Sequence, residues 1–171
     1  GLTMLVLKNF EFLINKPRIL LNSIKVNQSF VDFRSFNEVA LSNDSALKIL
    51  PDIYYKKLAY DSVAAFYNYP LNLELPYDLN HLTFYFSAID WSAPHKLKYQ
   101  YKLEGLDDHW SQLTEDNFAD YRNIPHGEYI FKVKAVGAAK IWSDTFEYSF
   151  VIHPPWWHTW WARFIYIALF I

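Results

Sequence analysis

Cysteine is absent from the chain, so no disulfide framework and no thiolate metal site can form. Glycine is scarce, at four in 171 residues, which is low for a protein built on many glycine turns. Neither sign of charge is in large excess. Sixteen basic residues stand against eighteen acidic ones, a net of −2, and this balance lacks the basic footprint that a nucleic-acid binder needs. The opening GLTMLVLKNF has no basic n-region and no small-residue cleavage site, so it does not read as a signal peptide. An exported or membrane-bound protein with this sequence would carry its targeting signal elsewhere, and the chain is then read as a piece of a longer one.

Catalytic patterns are also missing. The histidines are His81, His95, His109, His126, His153 and His158, and none falls in an HExxH or an i, i+4 metal pair. Ser92 and Ser143 have no Gly-x-Ser-x-Gly setting, and no phosphate-binding glycine loop occurs. Acidic residues gather at Glu104, Asp107, Asp108, Glu115, Asp116 and Asp120. They fall in a turn-rich connection and read as a solvated loop rather than a paired-carboxylate glycosidase centre. Asp107 and Asp108 are expected to close the turn before Trp110. The expectation is no enzyme, no metal and no cofactor in this segment.

What the chain has in quantity is aromatic residues, 20% of the total, many of them alternating with polar ones. RILLNSIKVN (18–27) reads as a strand. In HLTFYFSAID (81–90), Leu82, Phe84, Phe86 and Ala88 share one face, with Thr83, Tyr85, Ser87 and Ile89 on the other. In KLKYQYKLEGL (96–106), Leu97, Tyr99, Tyr101 and Leu103 alternate with Lys96, Lys98, Gln100 and Lys102; a WSAPH turn precedes it. GEYIFKVKAVG (127–137) sets Tyr129, Phe131, Val133 and Ala135 against Lys132 and Lys134, and TFEYSFVIH (145–153) closes the series. A period of two marks half-buried strands, and short strands at such spacing predict an all-β sandwich. The lysines are expected on solvated outer faces, where they discourage edge-to-edge pairing. Residues 28–76 show no clear period and read as a loop-rich insertion. Its NYPLNLELPYDLN stretch carries tyrosines expected at the edge of the core rather than on a sugar.

The spacing from Tyr99 onward is more specific. It runs Tyr99-x-Tyr101-x-Leu103-x-Gly105, then Trp110, then Tyr121-x-Asn123-Ile124-Pro125-x-Gly127-x-Tyr129-x-Phe131, then Trp142-Ser143, and ends at Pro154-Pro155-Trp156-Trp157-x-Thr159-Trp160. This pattern closely resembles the triple-tyrosine (Y_Y_Y) domain. The resemblance is strong over the last 90 or so residues and reaches back weakly to Pro17. It departs from the family at VGAAKIWSD, where an Asn-Asp-Gly-type turn is usual.

The resemblance implies an immunoglobulin- or fibronectin-III-like antiparallel sandwich over 17–153, with 1–16 the tail of a preceding propeller or a linker. In that family the domain lies between a periplasmic double β-propeller and a transmembrane helix, in hybrid two-component sensors of Bacteroidetes-like bacteria. The implied role is a membrane-proximal transmission and dimerisation module, coupling oligosaccharide sensing upstream to a cytoplasmic kinase. A carbohydrate-binding module and a passive spacer are the alternatives. Ile124-Pro125-x-Gly127-x-Tyr129 resembles a tyrosine corner, while Trp110 and Trp142 read as core or sandwich-edge plugs.

Residues 154–171 read as a membrane-interface segment. Pro154 and Pro155 cannot continue a strand ladder. Trp156, Trp157, Trp160 and Trp161 fit an interfacial aromatic belt, with Arg163 able to snorkel beside them. Eight apolar residues follow Arg163, against the roughly 20 a spanning helix needs, so a transmembrane helix is expected to begin here and be cut short. The expected location is the extracytoplasmic, periplasmic part of an inner-membrane protein. Expected partners are a second copy, the upstream propeller and the membrane, with no nucleic acid.

Overall fold

The computed structural model describes residues 16–35, 58–90 and 96–155. The expectations for the first fifteen residues, for the WSAPH turn, and for Trp156, Trp157, Trp160, Trp161, Arg163 and the helix after them lie outside the described residues. No helix among the described residues is long and apolar enough to cross a membrane.

Ten strands form among the described residues: β1 (Arg18–Val26), β2 (Ser29–Phe30), β3 (Ser62–Val63), β4 (Pro70–Leu71), β5 (Leu73–Leu75), β6 (Leu82–Ile89), β7 (Lys98–Glu104), β8 (Phe118–Tyr121), β9 (Gly127–Val136) and β10 (Phe146–Ile152). One sheet has the order β2-β1-β6-β8 and the other β5-β10-β9-β7; β3 and β4 make a small ribbon. The long strands are those read from period-two alternation. Each puts its apolar set inward because a one-residue slip would expose all of it.

The inward sets meet between the sheets. Phe84 and Phe86 of β6, Leu103 of β7, Phe131 and Val133 of β9 and Phe150 of β10 are all buried. At the centre Phe84 stacks on Phe131, with ring centroids 4.1 Å apart and planes 5° from parallel. Phe86, Tyr101 and Tyr121 surround Phe131 at centroid distances of 6.2–6.4 Å. Aromatic pairs at such spacing add stability beyond the area they bury.

Two expectations need revision. The sandwich is all-β but not wholly antiparallel, because β5 lies parallel to β10 with Leu73 opposite Phe150 and Leu75 opposite Ile152. The 28–76 stretch also contributes more than loop. Its described part supplies β2 to β5 and buries Val31, Phe33, Tyr69, Leu73 and Leu75 in the shared core. Strands of two or three residues are too short to show a period, which is why the sequence hid them. Tyr69 is a core residue, its ring 5.7 Å from that of Tyr148.

Candidate functional site

The residues that carry the triple-tyrosine pattern lie on the second sheet, on β8 of the first, and in the loops beside them. Tyr99 and Leu103 of β7 point inward and are buried, and Tyr101 between them is partly covered. The free edge of β7 is closed by its own following loop. Tyr99 N–H donates to Thr114 O at 2.7 Å, Thr114 N–H returns to Tyr99 O at 3.0 Å, and Ser111 N–H donates to Tyr101 O at 2.8 Å. A covered edge is one that does not recruit foreign strands.

Each buried tyrosine hydroxyl has a partner. Tyr99 Oη accepts from Ala88 N–H at 3.3 Å. Tyr121 donates to Asp107 Oδ2 at 2.7 Å, and the same oxygen accepts Leu103 N–H at 2.8 Å. Asp107 thus closes the turn before Trp110, as expected, and ties β7 to β8. Tyr129 donates to Pro125 O at 2.9 Å, the bond of a tyrosine corner. Tyr148, not singled out in the sequence, donates to the Pro70 carbonyl at 2.7 Å in a buried setting. Burial pushes the phenols of Tyr99, Tyr121, Tyr129 and Tyr148 above their ordinary range, and the Asp107 charge adds to this at Tyr121. None of these groups is poised to lose a proton at neutral pH; they act as anchors.

The motif glycines serve the same corner. Gly105 has φ of +100°, and a Cβ there would stand 3.0 Å from both Glu128 O and Tyr129 Cδ1. Gly127 has φ of +156° and leads into β9. A side chain at Gly105 would press on the ring that pins the loop.

A polar network on β8 went unread in the sequence. Asp120 accepts from Thr83 Oγ1 at 2.7 Å and Arg122 Nε at 2.8 Å, and it meets His81 Nε2 at 2.6 Å. Burial pushes its carboxyl up, but these partners together outweigh burial and hold it down at about 2. Arg122 is a neighbour two positions on, but His81 and Thr83 come from β6 and the residue before it, some 40 positions away, where no local pattern could have shown them. Among the described residues no three His, Asp or Glu side chains are placed to hold a metal ion.

Of the two readings of Trp110 and Trp142, core or sandwich-edge plugs, the structure excludes the core one. Trp142 is 39% exposed and Trp110 is half-buried. Both lie on the outer face of the second sheet, where Lys134 Nζ sits 4.3 Å from the Trp110 ring centre and 4.4 Å from that of Trp142. Lys132, one turn of the pleat away, bridges Glu104 at 2.6 Å and Glu147 at 3.1 Å. The alternating lysines do face outward, yet Lys98, Lys102, Lys132 and Lys134 each have an acidic or aromatic partner there. The centre of the inter-sheet space is taken by the stacked rings of Phe84 and Phe131.

The strand's last turn is also fixed. β10 runs between β5 and β9, and beyond it His153 N–H donates to Leu75 O at 2.8 Å while His153 Nε2 meets Glu74 Oε2 at 2.8 Å. Pro154 and Pro155 follow outside the strand.

Two sheets sealed by tyrosines that bond backbone or carboxylate define a β-sandwich domain. Residues 91–153 match the Y_Y_Y domain, from the end of β6 through β10, and this stretch of the chain is a Y_Y_Y domain. No curated protein matches the chain. Among solved structures it is similar to the extracellular domain of BT4673 from B. thetaiotaomicron, described once as a one component and once as a hybrid two component system. The identity is 24%, with TM-scores of 0.55 and 0.54 over 83% and 82% of this chain. It is also similar to the extracellular domain of BT3049, assigned as a hybrid two component system of the same organism, at 22% identity and TM-score 0.53 over 85% of this chain. These likenesses show the fold. The chain spans about a sixth of those structures, 16–17% of their length.

Proposed function

We propose that this sandwich, of the immunoglobulin type, is the extracytoplasmic transmission module of a membrane-bound two-component sensor and works as a pair. The observation that carries the proposal is the way the chain enters and leaves. Lys16 and Pro17 lie beside Asp144 and Phe146 at the start of β10, with Lys16 Nζ 2.6 Å from Asp144. The chain leaves at the other end of β10, through a strand hydrogen-bonded on both sides and clamped again at His153. A displacement applied at Pro17 therefore passes along the full strand to the Pro154-Pro155 exit with little slack. The match of 91–153 to the Y_Y_Y domain supports the reading, as do the extracellular relatives, which extend well beyond the part this chain covers. Ligand recognition, of an oligosaccharide by the family resemblance, belongs in this reading to an upstream domain, and the output to a kinase beyond the membrane.

Signalling of this kind needs two arrangements whose balance a ligand can shift. Two membrane-anchored copies pack side by side with like ends together. The outer face of the second sheet suits this badly, because Lys96, Lys98 and Lys140 crowd one end and Glu74, Glu104 and Glu128 the other. The first sheet offers a more neutral face around Leu20, Tyr85, Ile89 and Phe118; Ile89 and Phe118 are each 41% exposed, and Tyr85 lies 6.0 Å from Phe118 ring to ring. Sedimentation of residues 1–155 over a range of concentrations tests the proposal. A dimer that Phe118→Glu dissociates supports it. A strict monomer at all concentrations makes the domain a passive spacer.

A further inference from the structure

One end of the second sheet has features that transmission does not use. Beyond the Lys98–Val136 pairing, a hollow of about 550 Å³ opens beside Trp142, lined by Leu113, Glu115 and three lysines, Lys96, Lys98 and Lys140. Leu113 is 47% exposed and Trp142 39%. The hollow is thus an apolar floor within a ring of ammonium groups, and Lys134 lies behind it over the Trp142 ring. Its volume falls within the usual range for small-ligand sites, roughly 300–1,000 Å³.

Charge there is unbalanced. Glu115 is the one acid among the lining residues, meeting Lys98 at 3.2 Å with both side chains well exposed, while the buried Asp90 carboxyl stands behind the lining against Gly137. Such a pair is weak and screened. Lys96 and Lys140 have no ion-pair partner among the described residues. Of the acids on the same face, Glu74, Glu104 and Glu128 sit at the far end of the strands, and Glu147, nearer the middle, is paired with Lys132. Glu128 and Val136 are eight residues apart on β9, about 27 Å at strand rise. That is several times the screening length of about 8 Å at physiological salt, so the acidic end does not neutralise the basic one.

We propose that this hollow is a binding site for an acidic sugar, a pyranose bearing a carboxylate or sulfate, with its ring face on Trp142 and its anionic group between Lys96 and Lys140. An indole offers a flat apolar surface to a sugar's C–H face, and ammonium groups supply the charge recognition. A peptide is the poorer fit because no strand edge is free here. β7 is bonded to β9 on one side and to Thr114 on the other, and Trp142 bridges Val136. Peptides that bind sheets rely on such an edge. The site lies at the end of the sheet away from the Pro154 exit, and the proposal does not depend on the signalling reading.

The test is titration calorimetry of the 171-residue chain with three oligosaccharides of equal length, one uronate-bearing, one sulfated and one neutral. A glutamate oligopeptide and inorganic sulfate serve as controls. The expected result is binding of one or both acidic sugars, weakened by salt, with none of the neutral one. Lys96→Ala with Lys140→Ala should weaken binding at least tenfold, and Trp142→Ala several-fold, both with unchanged thermal midpoints. Preference between the two acidic sugars separates the carboxylate from the sulfate source. Binding of the glutamate peptide or free sulfate as tight as the sugars overturns the proposal. So does acidic-sugar binding that Trp142→Ala leaves intact, or no binding at all. Lys132→Ala, outside the hollow, is the charge control, and an equal loss there also overturns it.

Discussion

The space between the sheets and the outer face of the second sheet use the same residue classes in opposite ways. Inside, aromatic rings fill volume and their hydroxyls find fixed partners, as with Tyr148 on Pro70 O and Tyr121 on Asp107. Outside, Trp110 and Trp142 fill nothing; they hold an ammonium group between them. The difference is one of size and polarity. A phenylalanine or tyrosine fits a layer about 10 Å thick, and the phenol reaches a carbonyl at its rim. The two indoles lie instead on the outer face, where their rings meet the Lys134 ammonium group.

That contrast can be broken most sharply at its centre. Phe131→Ala removes the ring that stacks on Phe84 and touches Phe86, Tyr101 and Tyr121. The expected loss is about 3–5 kcal/mol, read from urea unfolding. Next comes Tyr148→Phe. Its partner Pro70 is buried, so the carbonyl is left without water, at about 1–3 kcal/mol. Tyr129→Phe loses a bond of similar length, but Pro125 is exposed, so hydration limits the cost to about 1 kcal/mol. Equal losses for the two tyrosines would show that burial of the acceptor does not separate them.

Acid should act through Asp120. Its carboxyl titrates at about 2 in the fold against 3.8 ordinarily. A depressed carboxyl contributes stability that is fully present above its unfolded value and is lost as pH falls through the folded one. Asp120 is an exposed residue, so solvent screening holds the contribution to about 1 kcal/mol, and it should fade between about pH 4 and pH 2. Thermal midpoints measured across that window should fall less steeply in Asp120→Asn than in the parent. The smallest effect is expected outside: Lys134→Ala removes two ring contacts at an accessible site, for a loss within about 1 kcal/mol. A larger loss would mean the outer face carries stability as the core does.

Much of this was legible along the chain. The alternation of HLTFYFSAID, KLKYQYKLEGL, GEYIFKVKAVG and TFEYSFVIH is β6, β7, β9 and β10 almost to the residue. The corner from Pro125 to Tyr129 was legible too, because donor and acceptor lie four positions apart. What could not be read were short elements and distant partners. β5 is three residues long, yet its place beside β10 is what makes the exit strand central.

By itself, then, the sequence determined the sheets' inner faces and the corner that pins them, since period-two burial and a four-residue contact are local facts. Tertiary structure decided the parallel β5–β10 pairing, the Asp120 network and the placing of two tryptophans around one lysine. Each of those joins residues far apart in the chain, and only the closed sandwich brings them within reach.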